Sequence, residues 1–226
     1  MRQPRNIFVS RLLKWYRNNK RDFPWRKTKN PYAILIAELL LRKTTANQVK
    51  AVYENFIKSF PNIKSLASAS EKELSDMLRP LGMEYKRAGL LIKFAEYVLV
   101  TYRGNIPENL EDLLDIPGVG YYSANALLCF GYNRNTAILD TNVLRVIERV
   151  FNIKSNKTRP RNDIRIWEFV NTLMKKGKAR VLNFAILDFA ALICKSRAPK
   201  CADCILNDIC YYKTKKDSNA KQTEVG

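Results

Sequence analysis

The stretch that decides the fold is LDIPGVGYYSANALLCFGYNRNTAILDTNVLR, which spans residues 114–145. A short helix is predicted to end at Asp115, and residues 116–120 are predicted to form a tight hairpin because Pro and Gly punctuate turns. A second helix is predicted from about Tyr121 to Phe130. The loop that follows delivers one carboxylate, Asp140, directly before another helix.

The hairpin is a candidate anion site. Gly118 and Gly120 are expected to allow positive φ angles and to leave no side chain in the way. Backbone N–H groups of the hairpin and of the next helix's first turn would then face outward together, and such a set of donors binds anions. Taken alone, the pentapeptide is equally typical of a plain turn. The candidate DNA-binding residues of the hairpin are Pro117, Gly118, Val119 and Gly120.

Composition indicates a polyanionic partner. Lys and Arg number 40 against 21 Asp and Glu, which leaves a net charge of +19, and a surplus of this size is typical of nucleic-acid binding. The chain shows no run of about eighteen apolar residues, so no membrane span is expected. Its arginine-interrupted N-terminus lacks the cleavage site of a secretory signal. We therefore expect a cytoplasmic, DNA-associated protein.

Periodicity favours an all-α fold. Apolar residues recur at spacings of three and four, and no segment alternates as half-buried strands do. The run AILIAELLL at residues 33–41 could be strand or helix by periodicity alone, but its Ala, Leu and Glu favour helix. Glu38 lies inside this run, where a carboxylate is costly unless it is paired or functional. A salt bridge and a base-contacting or catalytic acid both stay open for Glu38.

Four of the five cysteines form a C-x6-C-x2-C-x5-C series. The odd number argues against a disulfide scaffold. The chain has no histidine, which excludes imidazole-based catalysis and His-ligated zinc. Zinc and a [4Fe–4S] cluster both suit a site ligated by cysteine alone, although zinc ribbons usually pair two CxxC knuckles and this series has one. The candidate ligands are Cys194, Cys201, Cys204 and Cys210.

Together, the hairpin, Asp140 and the cysteine series resemble the helix-hairpin-helix DNA glycosylases of the endonuclease III superfamily. The resemblance covers nearly the whole chain. It implies that the hairpin grips phosphate, that the four cysteines hold a [4Fe–4S] cluster, and that Asp140 stabilises an oxocarbenium-like transition state or activates water. The target base must leave the stack to react, and Tyr122 and Glu38 are expected to contact it.

The position of Tyr122 bears on the reaction. Bifunctional members of the family carry Lys there, and Tyr cannot form the imine that Lys makes with the sugar. A monofunctional glycosylase is therefore expected. The block RDFPWR at residues 21–26, Glu38 and the run LRKTT at 41–45 look closest to archaeal-type thymine-DNA mismatch glycosylases, which remove T or U opposite G. Residues of the Arg42–Thr45 turn are expected to enter the duplex where the base leaves, and the candidate DNA-binding residues of this turn are Arg42, Lys43 and Thr44.

Two other functions stay open. A MutY-type adenine glycosylase acting on A:G or A:8-oxoguanine is the first. Those enzymes have Gly directly after the catalytic Asp, where this chain has Thr141, and they usually add a C-terminal domain. The second is a helix-hairpin-helix DNA-binding module without activity. The presence of Asp140 argues against this second alternative. An Asp directly before a helix is also typical of an N-cap.

The resemblance implies two helical lobes with the active cleft between them. A six-helix barrel is expected over residues 28–137, with the helix-hairpin-helix at about 109–130. Residues 1–27 together with 138–212 are expected to form the iron–sulfur lobe, and residues 213–226 a disordered tail. The expected partner is double-stranded DNA containing a mismatch, bound by a monomer.

Overall fold

A computed structural model describes residues 2–215, and no residue in this range belongs to a β-strand. The all-α prediction is confirmed. The helices run in chain order as α1 (Arg2–Asn19), α2 (Pro31–Leu40), α3 (Ala46–Ser59), α4 (Ile63–Ala67), α5 (Glu71–Leu78), α6 (Glu84–Tyr102), α7 (Leu110–Asp115), α8 (Tyr121–Phe130), α9 (Thr141–Phe151), α10 (Ile164–Asn171) and α11 (Ala179–Leu192). No described helix is long and apolar enough to cross a membrane.

The chain divides into two compact units. Residues 22–134 form the first, which we call the hairpin unit, and residues up to 21 together with those from 135 onward form the second, the cysteine unit. Residues 211–215 are helical. The rest of the predicted disordered tail, residues 216–226, lies outside the described residues.

The unit boundaries lie earlier in the chain than the predicted 27/28 and 137/138. Phe23 stacks on Trp25 with ring centroids 4.9 Å apart, and Trp25 meets Tyr53 of α3 edge-on at 5.4 Å, so this connector packs within the hairpin unit. Ala137, predicted to belong to the barrel, donates its N–H to Asn171 Oδ1 of α10 at 2.8 Å. Contacts between residues far apart in the sequence therefore determine both boundaries.

Helix α2 forms the core of the hairpin unit. Every residue from Tyr32 to Leu40 is buried, which explains why the run lacks a polar face. Asn30 caps the helix by accepting from Ala33 N, and Pro31 occupies the first turn, where a missing N–H costs nothing. Helices α3 and α8 pack against α2. The strand alternative for this run is therefore wrong.

In the cysteine unit, helix α11 packs against both α1 and α9. Phe8 of α1 is fully buried and its ring lies 5.1 Å from that of Phe151 at the end of α9. Between the end of the hairpin unit and α9, residues 136–140 have no regular secondary structure. This segment carries the chain to Asp140.

Candidate active site and DNA interface

The hairpin is shaped by close packing at Gly118. Its φ angle is +85°, and a Cβ built there would lie 3.0 Å from Leu90 Cδ1 and 3.2 Å from Leu39 Cδ2. Both the backbone angle and the lack of space therefore require glycine. The turn is closed by Val119, whose N–H donates to Ile116 O at 3.0 Å. Because that N–H is used inside the turn, it is not one of the outward-facing donors expected from the sequence.

Gly120 differs from the prediction. Its φ is −104°, an angle open to any residue, and a Cβ added there would meet nothing within 4 Å. The glycine is thus required neither by the turn nor by packing. Because Gly120 has no side chain, the backbone at the N-terminus of α8 is exposed. The first hydrogen bond of this helix joins Ala124 N to Gly120 O at 2.9 Å. The positive end of the helix dipole is directed there, so an anion can approach closely.

The turn at residues 41–45 lies beside the hairpin. Exposed Arg42 donates from Nη1 to Gly118 O at 3.2 Å, and Lys43 adopts a left-handed φ of +56°. Thr45 ends the turn with a capping box in which it and Gln48 bond reciprocally. The structure therefore brings the predicted DNA-binding residues Arg42, Lys43 and Thr44 together with the hairpin.

A buried arginine that the sequence analysis missed holds this turn. Arg87 of α6 is 7% exposed and donates to Leu40 O at 3.1 Å and to Arg42 O at 2.9 Å, as well as to the Thr44 hydroxyl. Burial, and secondarily the nearby Arg42, lowers the pKa of Arg87. The run YKRA reads only as a helix start, because a buried Arg whose partners are backbone carbonyls of another segment leaves no local signature.

A pocket of about 190 Å³ opens between this turn and the start of α6. Its apolar wall includes Leu40 and Leu91, and its cationic lining includes Lys43 and Lys86. Met83, also in the lining, is 46% exposed and has a left-handed φ of +55°. The pocket thus combines apolar surface with positive charge.

The two candidate base-contacting residues lie on neighbouring helices. Glu38 is 6% exposed within α2. Tyr122 is half-buried in the first turn of α8, and α2 and α8 pack against each other. The role of either residue toward a base stays a prediction.

Asp140 caps helix α9, as its position before a helix predicted. Its Oδ1 accepts from Asn142 N at 2.8 Å and from Val143 N at 2.7 Å, and its Oδ2 accepts from Asn142 Nδ2 at 2.7 Å. The residue is half-buried. Both oxygens are therefore held in fixed positions at the N-terminal end of α9, where the helix dipole is positive. A fixed carboxylate of this kind can stabilise a neighbouring positive charge without reorganising.

A chain of hydrogen bonds continues from Asp140 along α9. Asn142 Oδ1 accepts from Arg145 Nη1 at 3.1 Å, and Arg145 Nε donates to Cys194 O at 2.9 Å. One turn later, Arg149 donates to Lys195 O at 2.6 Å. Neither arginine was singled out from the sequence. Together they fix the first cysteine of the series against the helix that begins at Asp140.

The four cysteines of the series share one neighbourhood. Burial raises the pKa of the Cys204 thiol to about 11, the Leu206 N–H opposes this, and the thiols of Cys210, Cys194 and Cys201 add to it. Leu206 N donates to Cys204 Sγ at 3.4 Å, and Arg149 Nη1 lies 3.6 Å from Cys194 Sγ. N–H groups directed at sulfur stabilise thiolates, the form that ligates a metal.

Within residues 2–215, no group of three or more His, Cys, Asp or Glu side chains is arranged to hold a metal ion. The Cys210 thiol would give up its bond to Arg149 O, at 3.4 Å, on ligation.

Comparison with known proteins identifies the family. The model of the HhH-GPD superfamily base excision DNA repair proteins matches residues 36–172, more than half of the chain. The chain belongs to this superfamily. The matched range includes the hairpin, Glu38, Tyr122 and Asp140, and it excludes the four cysteines.

Relatives match over nearly their whole length. Thymine-DNA glycosylase of Aeropyrum pernix is 45% identical over 89% of this chain and 92% of its own. Thymine/uracil-DNA glycosylase of Pyrobaculum aerophilum is 42% identical over 93% of both. The solved structure of a thermostable thymine-DNA glycosylase is 37% identical, with a TM-score of 0.90 over 95% of this chain and 98% of its own.

More distant relatives match less completely. An adenine DNA glycosylase of Mycobacterium tuberculosis is 32% identical over 93% of this chain but only 69% of its own. A non-covalent endonuclease III–DNA complex gives a TM-score of 0.84 at 20% identity over 96% of this chain and 99% of the endonuclease. At that identity the likeness shows the fold alone.

Proposed function

We propose that this protein is a monofunctional DNA glycosylase that hydrolyses the N-glycosidic bond of thymine or uracil mispaired with guanine. The observation that carries the proposal is the similarity to thymine/uracil-DNA glycosylases along nearly the entire length of both chains. Adenine glycosylases match over a smaller share of their own length. The substrate is double-stranded DNA that contains the mismatch.

The chemistry assigned to Asp140 follows from its hydrogen bonds. As the bond between C1′ and the base breaks, its electron pair leaves with the base and positive charge develops on the sugar. The carboxylate of Asp140, fixed by Asn142 and Val143, faces that charge and orients the attacking water. The water oxygen bonds to C1′, and one water proton ends on the departing base. Because the carboxylate is held in advance, little reorganisation opposes the reaction.

The side chain at position 122 supports hydrolysis over strand cleavage. A phenol cannot form the imine through which a lysine at this place cuts the backbone. The product is therefore an abasic site in an intact strand. Tyr122 and Glu38 are assigned to contacts with the extruded base.

DNA binding is assigned to the hairpin and the adjoining turn. The N-terminus of α8 at Gly120 offers an anion site made from backbone, and Arg42 and Lys43 add positive charge beside it. These contacts are to phosphate, so they give affinity without sequence preference. The binding constant should therefore fall steeply with salt concentration.

We also propose that a [4Fe–4S] cluster is held by Cys194, Cys201, Cys204 and Cys210. These four thiolates would hold the cluster, whose role would be structural and electrostatic rather than catalytic. Exposed Lys195, Arg197 and Lys200 in the same loop would then be fixed as a basic surface. Purified protein should show the broad visible absorption of such a cluster and contain iron and sulfide. Zinc in their place would refute the assignment.

The test of function is a panel of duplexes carrying T:G, U:G, A:G or A:8-oxoguanine, with T:A as control. Each is incubated with enzyme and analysed with and without alkali. The proposal predicts strand cleavage of T:G and U:G only after alkali. Cleavage of A:8-oxoguanine instead would support an adenine glycosylase, cleavage without alkali would contradict monofunctionality, and no release from any duplex would leave a DNA-binding module.

A further inference from the structure

The segment before Asp140 is buried but has no regular secondary structure. Ala137 and Ile138 are fully buried and Leu139 is 1% exposed. In helices and sheets, backbone N–H and C=O groups form hydrogen bonds with one another. A buried segment without regular secondary structure lacks these backbone partners. Each buried peptide group here therefore needs a partner from elsewhere in the fold.

Two asparagine side chains supply three of these partners. Asn183 of α11, 1% exposed, donates from Nδ2 to Thr136 O at 2.9 Å and accepts at Oδ1 from Ile138 N at 3.1 Å. The Asn183 amide thus bonds the peptide groups on either side of Ala137, as the backbone of a neighbouring strand would. Asn171, the last residue of α10, accepts at Oδ1 from Ala137 N at 2.8 Å.

We propose that Asn183, assisted by Asn171, is a positioning residue for the catalytic carboxylate of Asp140. The inference rests on the function proposed above. Ile138 N lies two residues before Asp140, whose own oxygens are fixed by the first turn of α9. The carboxylate is therefore held from both sides along the chain. A displacement of about 1 Å can lower a rate about 100-fold, so loosening the segment should slow the chemical step.

The first test is Asn183→Leu, which keeps the approximate shape and removes both bonds to the segment. We expect the single-turnover rate at saturating enzyme to fall about 100-fold, while the Kd for uncleavable mismatch DNA changes less than about threefold. Val9→Ala, in the buried face of α1, is the control for lost stability. At temperatures giving equal folded fractions, it should keep the wild-type rate.

Asn171→Ala keeps the test decisive if Asn183→Leu does not fold. Asn171 is exposed, so its truncation leaves the core intact and removes one of the three bonds. A rate loss of about tenfold is expected, with DNA affinity kept. If Asn171→Ala and any folded Asn183→Leu protein react at the wild-type rate, or if they lose affinity and keep the rate, the positioning role is wrong.

Hydrogen exchange separates this inference from the proposed function. In Asn183→Leu and Asn171→Ala, exchange should accelerate at Ala137 and Ile138 and also at Asn142 and Val143, whose N–H groups hold Asp140. Faster exchange at Ala137 and Ile138 alone would show that the hydrogen bonds from Asn183 and Asn171 do not influence the carboxylate of Asp140. If wild-type protein releases no base from any duplex, the proposed function fails, and the exchange pattern still decides whether Asn183 orders Asp140.

Discussion

The hairpin and the start of α9 present their functional groups in opposite ways. At the hairpin, backbone is exposed, and apolar packing of Gly118 against Leu39 and Leu90 sets its shape. At α9, one side chain is presented, and N–H donors of Asn142 and Val143 set its orientation. The contrast indicates that DNA affinity depends on apolar contacts that shape the backbone, whereas the reaction depends on hydrogen bonds that orient a side chain. Substitutions should therefore separate the two properties.

Asp140→Asn should give the largest effect. Asn is as good an N-cap as Asp, so the helix start is kept while the negative charge is lost. The single-turnover rate should fall about 10³–10⁴-fold, the upper range for a residue of this type, with the Kd unchanged or lower. Asp76→Asn, which removes a half-exposed carboxylate on α5, is the matched control and should react normally. Full activity of Asp140→Asn would exclude the assigned chemistry.

Gly118→Ala should give the next largest effect, on stability. The left-handed φ and the contacts with Leu90 and Leu39 should together cost about 1–3 kcal/mol. For a chain of this size, that lowers the melting temperature by about 2–12 °C. Thermal unfolding followed by circular dichroism measures the change. An unchanged melting temperature would show that the hairpin is not shaped by packing at this position.

Gly120→Ala is the counterpart at the same hairpin. Because the added methyl meets nothing in the protein, stability should stay within about 0.5 kcal/mol. The methyl would, however, project where phosphate is proposed to approach, and the Kd should rise about tenfold, which is about 1.4 kcal/mol. Fluorescence anisotropy with a labelled mismatch duplex measures this. Wild-type affinity would remove Gly120 from the interface.

Arg42→Ala should give the smallest effect. If Arg42 neutralises one phosphate, the slope of log Kd against log salt should become shallower by about 1, with the rate at saturation kept. Titrations at several salt concentrations give the slope. Lys64→Ala, an exposed cation on α4 of the same unit, should leave it unchanged. Equal slopes for all three proteins would place Arg42 outside the DNA contact.

Local patterns in the sequence predicted the helices well. The boundaries of α8 agree with the prediction, because Gly120 and Gly131 flank an uninterrupted helical pattern. Asp140 was recognised as a cap because the pattern of a cap is contained in a few residues.

Features that depend on distant partners could not be predicted. Arg87 donates to the backbone carbonyls of Leu40 and Arg42, and Asn183 donates to Thr136 O and accepts from Ile138 N. A buried polar side chain gives no sign in the sequence of which peptide group it bonds. Gly120 does not adopt the positive φ that glycine allows, but it leaves no side chain in the way, as expected.

The most direct test of the account is a double-mutant cycle of Asp140→Asn and Gly120→Ala, with Kd and single-turnover rate measured on one T:G duplex. The account predicts that Asp140→Asn lowers only the rate, that Gly120→Ala raises only the Kd, and that the double variant shows both changes with coupling below about 0.5 kcal/mol. A wild-type rate in Asp140→Asn would contradict this prediction. A lower rate together with a raised Kd in each single variant would contradict it as well.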